Sequence, residues 1–295
     1  MDPAVRRPDE VMFNLGVQHE LLPRVSVAAN WVRTNFYNLA LTQNVLQSFS
    51  DYTPVQIASP LDGSVVTMYN VSAARQSAVL NLNTTDPHGS LWNNAVELSL
   101  NARLPHGTSV FGGTATDRTL QVQCDGFSNP NQLLYCDQTK SGIPWNTQFK
   151  LAGSVPLQWG LQFGASFTTY KYTYGTPTAG TVWLITPTTR YAANCLGPCT
   201  PGALVDPGMA VASLSVPLVA PGTEFSDRIE QLDLTLGKWL SVGKLRMQPG
   251  ISLFNALNNH AAYTVRSMNY LTSSYLQPST VLQPRLARVE MQMKW

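Results

Sequence analysis

The chain has 295 residues, of which 44% are hydrophobic and only 12% are charged, about half of the roughly 25% that soluble domains carry. The formal net charge of +2, without any basic run, gives no indication of a nucleic-acid partner. No apolar run reaches the roughly 18 residues of a transmembrane helix, and the first residues lack the apolar segment of a secretion signal.

Polar and apolar residues alternate with the period of a β-strand along much of the chain. The alternating segments form pairs, which are joined by short turns at residues 22–24, 105–108, 157–159 and 241–243. The predicted strands lie at residues 13–18, 25–31, 95–104, 109–123, 145–156, 160–174, 228–240 and 244–254.

Long stretches without continuous alternation separate these pairs. They cover residues 38–90, 124–144, 175–226 and 259–283, and in the first of them residues 65–71 predict a small hairpin. Short turns that alternate with long loops are typical of outer-membrane barrels, in which the turns are periplasmic and the loops external. A soluble β-sandwich or lectin-like module is the alternative.

The C-terminal segment 286–295 alternates strictly. One of its faces carries Ala287, Val289, Met291, Met293 and Trp295, whereas the other carries charged and amide side chains. A strand of this kind that ends on an aromatic residue is typical of the last strand of a membrane barrel. The sequence therefore predicts an all-β fold, an antiparallel up-and-down transmembrane β-barrel segment of about nine strands whose partner is the lipid bilayer.

Tryptophans lie near the ends of the predicted strands. We expect them to form a girdle at the boundary between lipid and water, and the alternative is that they are ordinary core aromatics. The residues are Trp31, Trp92, Trp145, Trp159, Trp239 and Trp295.

The four cysteines form two local pairs, Cys124 with Cys136 and Cys195 with Cys199. Both pairs lie in segments rich in Gly, Pro, Asn and Asp, which predicts disulfides within loops, formed in an oxidising compartment. A metal site is the rival interpretation, although the spacings are not those of zinc ribbons. Free thiols in a fragment also remain open.

No catalytic constellation is present in the sequence. The four histidines are dispersed, and no nucleophile, phosphate-binding or dinucleotide-binding motif occurs. Glu97, Glu230 and Asp233 lie on predicted strands, where hydrogen-bonded lumen or rim charges are a simpler interpretation than a catalytic dyad. We therefore expect neither an enzyme nor a cofactor.

The segment Leu253-Phe-Asn-Ala-Leu-Asn258 resembles an element that closes the penultimate strand of TonB-dependent outer-membrane receptors. Residues 148–153 and 227–234 also resemble barrel strands of the Oar-like branch, many of whose members carry a carboxypeptidase-regulatory-like domain. The resemblance covers nearly the whole chain. It implies that residues 1–295 are the C-terminal part of such a barrel, without the plug and N-terminal domains. Such a part is not expected to form a stable pore alone.

The same resemblance implies an outer-membrane location and the active uptake of a scarce, bulky nutrient such as a siderophore or an oligosaccharide. The implied partners are a plug domain, the TonB energy-coupling complex and the barrel assembly machinery, which would recognise the terminal strand. An adhesive or structural barrel without uptake is the alternative function.

Ligand contacts in such receptors come from the plug and the external loops. The aromatic candidates in the loops are Tyr172, Tyr174, Trp183 and Tyr191, which could stack on a sugar or a siderophore ring. The alternative is that these side chains pack the loop against itself.

Overall fold

The computed structural model describes residues 2–126, 129–175, 180–243 and 245–295. Lys244, which the sequence predicted as the first residue of a strand, lies outside the described residues, as do 127–128 and 176–179 of two predicted loops. Among the described residues, no helix has the length and apolarity needed to cross a membrane. The helical turns are short 3-10 segments at Phe49–Asp51, Pro105–Gly107, Pro130–Tyr135, Gln138–Lys140 and Gln158–Gly160.

Strands make up most of the regular structure. In chain order they are β1 (Asp9–Leu22), β2 (Val25–Tyr37), β3 (Ala40–Asn44), β4 (Tyr52–Ala58), β5 (Val65–Val71), β6 (Asn81–Thr85), β7 (Ser90–Arg103), β8 (Ser109–Val122), β9 (Asn146–Pro156), β10 (Leu161–Tyr170), β11 (Val182–Ile185), β12 (Leu214–Pro217), β13 (Ile229–Lys238), β14 (Leu240–Val242), β15 (Leu245–Phe254), β16 (Ala262–Val265), β17 (Pro278–Val281) and β18 (Leu286–Lys294).

One ten-stranded sheet organises the molecule. Its strands follow the order β1–β2–β7–β8–β9–β10–β13–β15–β18, and each pairs antiparallel with its neighbours. The remaining strand, β14, follows β13 after Trp239 and pairs with the same neighbour, β15. With β14 counted as a continuation of β13, the sheet has the predicted nine strands, and the all-β fold with antiparallel, up-and-down strands is confirmed.

The register of these strands gives the sheet one predominantly apolar face. A single row across five strands consists of Val289, Ile251, Leu236, Phe163 and Val155. These side chains share a face because residues that pair directly across strands point the same way. Val289 is 83% exposed, so no other part of the described chain covers this face at β18.

The opposite face is polar or carries small residues over the same strands. The adjacent row runs through Arg288, Ser252, Thr235, Gly164, Ser154, Ser109 and Arg103. A sheet with one apolar face and one polar face is expected where one side contacts lipid and the other contacts water.

The short connections lie at one end of the sheet, and the long ones lie at the other, because consecutive strands are antiparallel. The tight turns contain Arg24, His106, Trp159 and Gly243, with φ of 70°, 61°, 60° and 61°. This left-handed conformation is uncommon for residues other than glycine, and here it allows each strand to reverse direction within a few residues. The predicted turns at 22–24, 105–108 and 157–159 are confirmed, whereas the fourth turn begins later than predicted, at Gly243, because Ser241 and Val242 pair with β15 as part of β14.

Three strands are longer than the sequence predicted, and the first of them, β1, spans Asp9–Leu22 instead of 13–18. β2 continues past Trp31 to Tyr37, and β7 begins at Ser90, so their additional residues pair with each other. Trp31 therefore lies in the middle of a strand and not at its end. The side chains of Arg33, Asn35 and Asn94 are polar although they lie on the apolar face. They interrupt the alternation in these segments of β2 and β7, so the sequence pattern did not predict the additional residues.

The connections predicted as irregular contain small antiparallel pairs. β3 pairs with β6, β4 with β5, β11 with β12, and β16 with β17. The predicted hairpin at 65–71 is thus present as β5 paired with β4. We call the long connections at residues 38–89, 123–145, 171–228 and 255–285 the first, second, third and fourth loops, and together the loop layer.

The asparagines of the segment 253–258 have a structural role at the end of β15. Asn255, with φ of 46°, receives a hydrogen bond from the backbone of Asn259 at 3.0 Å and donates to the Gln283 carbonyl at 2.8 Å. Asn258 accepts from the backbone of Arg285 at 3.0 Å. The two side chains therefore connect the end of β15 to the segment that leads into β18.

Candidate functional site in the loop layer

The first and second loops are joined by Asn131. Its carboxamide accepts a hydrogen bond from the backbone N–H of Tyr69 at 2.8 Å and donates to the Tyr69 carbonyl at 2.9 Å. This side chain therefore satisfies both backbone groups of a residue on β5, as a neighbouring strand would. Asn131 is itself buried, so this polar contact is shielded from water.

The third loop is connected to each of the others. Asn70 of the first loop donates to the Gly208 carbonyl at 3.1 Å, and the Tyr135 hydroxyl of the second donates to the Leu218 carbonyl at 3.1 Å. Val182 exchanges backbone hydrogen bonds of 2.9 Å with Met268 and Tyr270 of the fourth loop. The four loops consequently form one folded layer.

An apolar cluster lies inside this layer and contains nine of the 19 buried hydrophobic residues of the described chain. The first loop contributes Ile57 and Met68, and the fourth contributes Tyr270 at the margin. The third loop supplies the remaining buried members, Trp183, Ile185, Val205, Met209, Leu214, Val216 and Leu218. We call this cluster the loop core.

The structure divides the four predicted ligand-contact residues into two pairs. Trp183 is 2% exposed and its ring centroid lies 6.5 Å from that of Tyr191, so both belong to the loop core or its margin. Tyr172 and Tyr174 lie beyond the end of β10, where Tyr172 is 42% exposed. A direct ligand contact remains a prediction, and for Trp183 it would require the loop core to open.

Tyr172 belongs to an aromatic cluster on the polar side of the sheet. Its ring is edge-on to those of Tyr170 and Tyr263, with centroid distances of 5.2 and 5.3 Å. It borders a cavity of about 500 Å³ that is also lined by Asp117, Asn146, Gln148, Lys150, Thr168, Tyr170 and Lys171. We call this the tyrosine cavity. Its aromatic rings, amides and ammonium groups can both stack on a ligand and form hydrogen bonds with it.

A second cavity, of about 640 Å³, lies between the first, second and third loops and the end of β8. Its lining includes Gln121, Gln123, Asn129, Gln132 and Gln138 and contains no charged side chain among the described residues. Gln121 donates to the Gln123 side chain at 2.8 Å, and Gln123 donates to the Ala40 carbonyl at 2.9 Å. We call it the amide cavity. No pattern in the sequence indicates this cavity, because its lining comes from distant segments and single glutamines form no motif.

Burial raises the pKa of the phenols that connect the loops. This holds for Tyr135, Tyr191 and Tyr275, and the negative charge of Glu224 adds to the effect at Tyr275. These hydroxyls therefore stay protonated at neutral pH. They can act as hydrogen-bond donors, as Tyr135 does towards Leu218.

Both cysteine pairs lie in the loop layer. The structure joins Cys124 to Cys136, with 5.1 Å between their Cα atoms, and Cys195 to Cys199, with 6.3 Å. The first bridge links the end of β8 to the segment that follows the 3-10 helix Pro130–Tyr135. The oxidation state of the four thiols in the cell remains a prediction. Over the described residues, no group of three or more His, Cys, Asp or Glu side chains is placed to hold a metal ion.

No protein-family model matches the chain, and no relative is found among curated protein sequences. In the comparison with solved structures, the chain is similar to the outer membrane transporter YddB from Escherichia coli. The TM-score is 0.45 and the identity is 10%, over 97% of this chain and 32% of the transporter. The chain therefore spans about a third of the length of that protein.

The different positions of Trp183 and Tyr172 lead to a prediction about stability. We expect Trp183→Ala to lower the stability of the loop layer by about 3–5 kcal/mol, because it leaves a large cavity in a packed core. Tyr172→Ala, at a half-exposed position, should cost less than half of that. Hydrogen exchange of the amides in β11 and β12 measures both effects. Equal loss of protection in the two variants would contradict this assignment of the loop core.

The bridge between Cys124 and Cys136 leads to a second prediction. A disulfide that closes a loop of this length stabilises the folded chain by roughly 3 kcal/mol, because it lowers the conformational entropy of the unfolded chain. The paired replacement of Cys124 and Cys136 by Ser should therefore increase proteolysis within residues 123–145. Alkylation of the unreduced, denatured chain followed by mass spectrometry should find no free thiol. Labelling of all four cysteines before reduction would show that the bridges are absent.

Proposed function

We propose that this chain forms part of the wall of an outer-membrane β-barrel for the TonB-dependent uptake of a scarce, bulky nutrient. The observation that carries the proposal is the separation of an apolar face and a polar face across nine paired strands. A water-soluble protein that left this face uncovered would expose a large apolar surface, which favours aggregation. In a bilayer the same face is stabilised by contact with lipid.

The loop layer supports the uptake part of the proposal. It covers the end of the sheet at which the long connections lie, and the tyrosine cavity and the amide cavity lie beneath it. Their linings offer amides, hydroxyls and aromatic rings. Such groups suit a ligand with many hydroxyl or carbonyl oxygens, the chemistry that oligosaccharides and siderophores share.

An adhesive or structural barrel is the second candidate. The observation that favours it is the loop core, because loops that share a packed interior present a fixed surface, as a binding module does. In this function, partners contact the outer side of the loop layer and no ligand enters the cavities beneath it.

Placement in a membrane is tested by a matched pair of arginine substitutions in β9. Leu151 lies on the apolar face and Gln148 lies on the polar face, and both side chains are exposed. In phosphatidylcholine bilayers, we expect Leu151→Arg to lower the free energy of unfolding by about 2–4 kcal/mol and Gln148→Arg to lower it by less than about 1 kcal/mol. Denaturant titration in vesicles measures both.

Equal effects of the two substitutions would contradict the assignment of the faces. If the chain stays monomeric in water without detergent, the proposal that it forms part of a membrane barrel is wrong.

The two candidate functions differ in what cells do with a bound ligand. Uptake requires accumulation inside the cell that stops when TonB is removed, whereas adhesion gives surface binding that is independent of TonB. The test is made in cells that produce the native gene product, after the DNA upstream of Met1 has been searched for an in-frame plug and TonB box. Binding without TonB-dependent accumulation would favour the adhesive function.

A further inference from the structure

Two arginines interrupt the apolar face close to the loop layer. Arg33 of β2 pairs with Asn94 of β7, and Asn94 in turn pairs with Arg118 of β8. The three side chains therefore share one row and one face, and the arginine backbones lie two strand spacings apart, roughly 10 Å. The neighbours on the same face towards the turns are apolar or uncharged, at Trp31, Val96 and Thr116.

Each arginine lies against a tryptophan. The guanidinium carbon of Arg33 is 5.3 Å from the centroid of Trp92, and that of Arg118 is 5.0 Å from the centroid of Trp145. Tryptophan prefers the boundary between lipid and water, and a stacked guanidinium is held in a fixed orientation by the ring. The pairs therefore fix two cations at the edge of the apolar face.

These cations have no carboxylate partner in the described chain. Arg75 and Arg288 form ion pairs with Asp51 and Glu290, but neither Arg33 nor Arg118 takes part in an ion pair between described residues. The Nε atom of Arg118 is buried and meets no acceptor there.

Within the described part of the chain, Arg33 forms side-chain hydrogen bonds with uncharged groups only. Its Nε donates to Asn35 at 2.8 Å, and a terminal nitrogen donates to Asn94 at 3.1 Å. The acidic residues on this face lie in other rows or on distant strands. Asp9 is in the row of Tyr37, and Glu230 is on β13, which β9 and β10 separate from β8. A half-buried guanidinium on an apolar face is stabilised when an anion approaches from outside.

We propose that Arg33, Asn94 and Arg118 bind the phosphate of an anionic lipid headgroup in the surrounding membrane. The inference rests on the proposed placement in a bilayer. The guanidinium groups supply charge-assisted hydrogen bonds to phosphate oxygens, and the amide nitrogen of Asn94 supplies a further donor between them. The acyl chains lie along the apolar residues below this row, Leu15, Val96 and Leu98.

The test measures lipid affinity of the chain in detergent by native mass spectrometry. The probes are short-chain phosphatidylglycerol, phosphatidylcholine with the same acyl chains, and inorganic phosphate as a competitor. The variants are Arg33→Gln, Arg118→Gln and their combination. The matched control is Arg246→Gln, because Arg246 also lies 5.1 Å from a tryptophan centroid, that of Trp239, but belongs to the polar face.

We expect phosphatidylglycerol to bind at least fivefold more tightly than phosphatidylcholine. Each Gln substitution should weaken the binding of phosphatidylglycerol about fivefold, in line with the contribution of one cation at an anionic surface, and Arg246→Gln should leave it unchanged. Arg33→Lys and Arg118→Lys keep the charge and should retain part of the preference. These two variants provide the measurement if the Gln variants do not fold.

Equal affinity for the two lipids, unchanged binding by the double variant, or displacement by phosphate at the concentration of the lipid would overturn the proposal. Insertion into phosphatidylcholine vesicles separates this failure from that of the proposed function. A chain that inserts but shows no preference overturns the lipid site alone. A chain that inserts into no vesicle overturns both.

Discussion

Hydrogen bonding between neighbouring backbones is the constraint on which this structure depends. Each strand of the main sheet pairs antiparallel with the next, from β1 with β2 through to β15 with β18, and a shift of one residue would turn every side chain to the other face. The pairing is therefore what converts a local alternation into two continuous surfaces. The proposed contact with lipid on one side and with water on the other follows from that register.

The loop layer shows how a chain with little interior in its main sheet still forms a packed core. Ile57 and Met68 meet Trp183 across more than a hundred residues of sequence, and Asn131 and Asn70 supply the polar contacts between loops. The cavities that we propose as ligand sites lie between this packed layer and the ends of the strands. Their shape consequently depends on contacts that are distant from the ligand itself.

The sequence predicted the strands and turns well because both have local causes. Alternation with a period of two and the turns around Arg24, His106, Trp159 and Gly243 can be recognised within a few residues. It did not predict the loop core, whose members come from separate segments without a common period, or the full length of β2 and β7. There the side chains of Arg33, Asn35 and Asn94 place polarity on the apolar face, and the pattern fails at the residues for which we infer a lipid contact.

The joined loops also affect how the sheet could curve. Because the first, second and third loops are bonded to one another through Asn131, Asn70 and Tyr135, the strand ends from which they emerge are held at set separations. A sheet whose strand ends are held in place on one side can change its curvature only over a narrow range. Any further strands that pair with β1 or β18 would extend a sheet whose curvature these contacts between loops already limit.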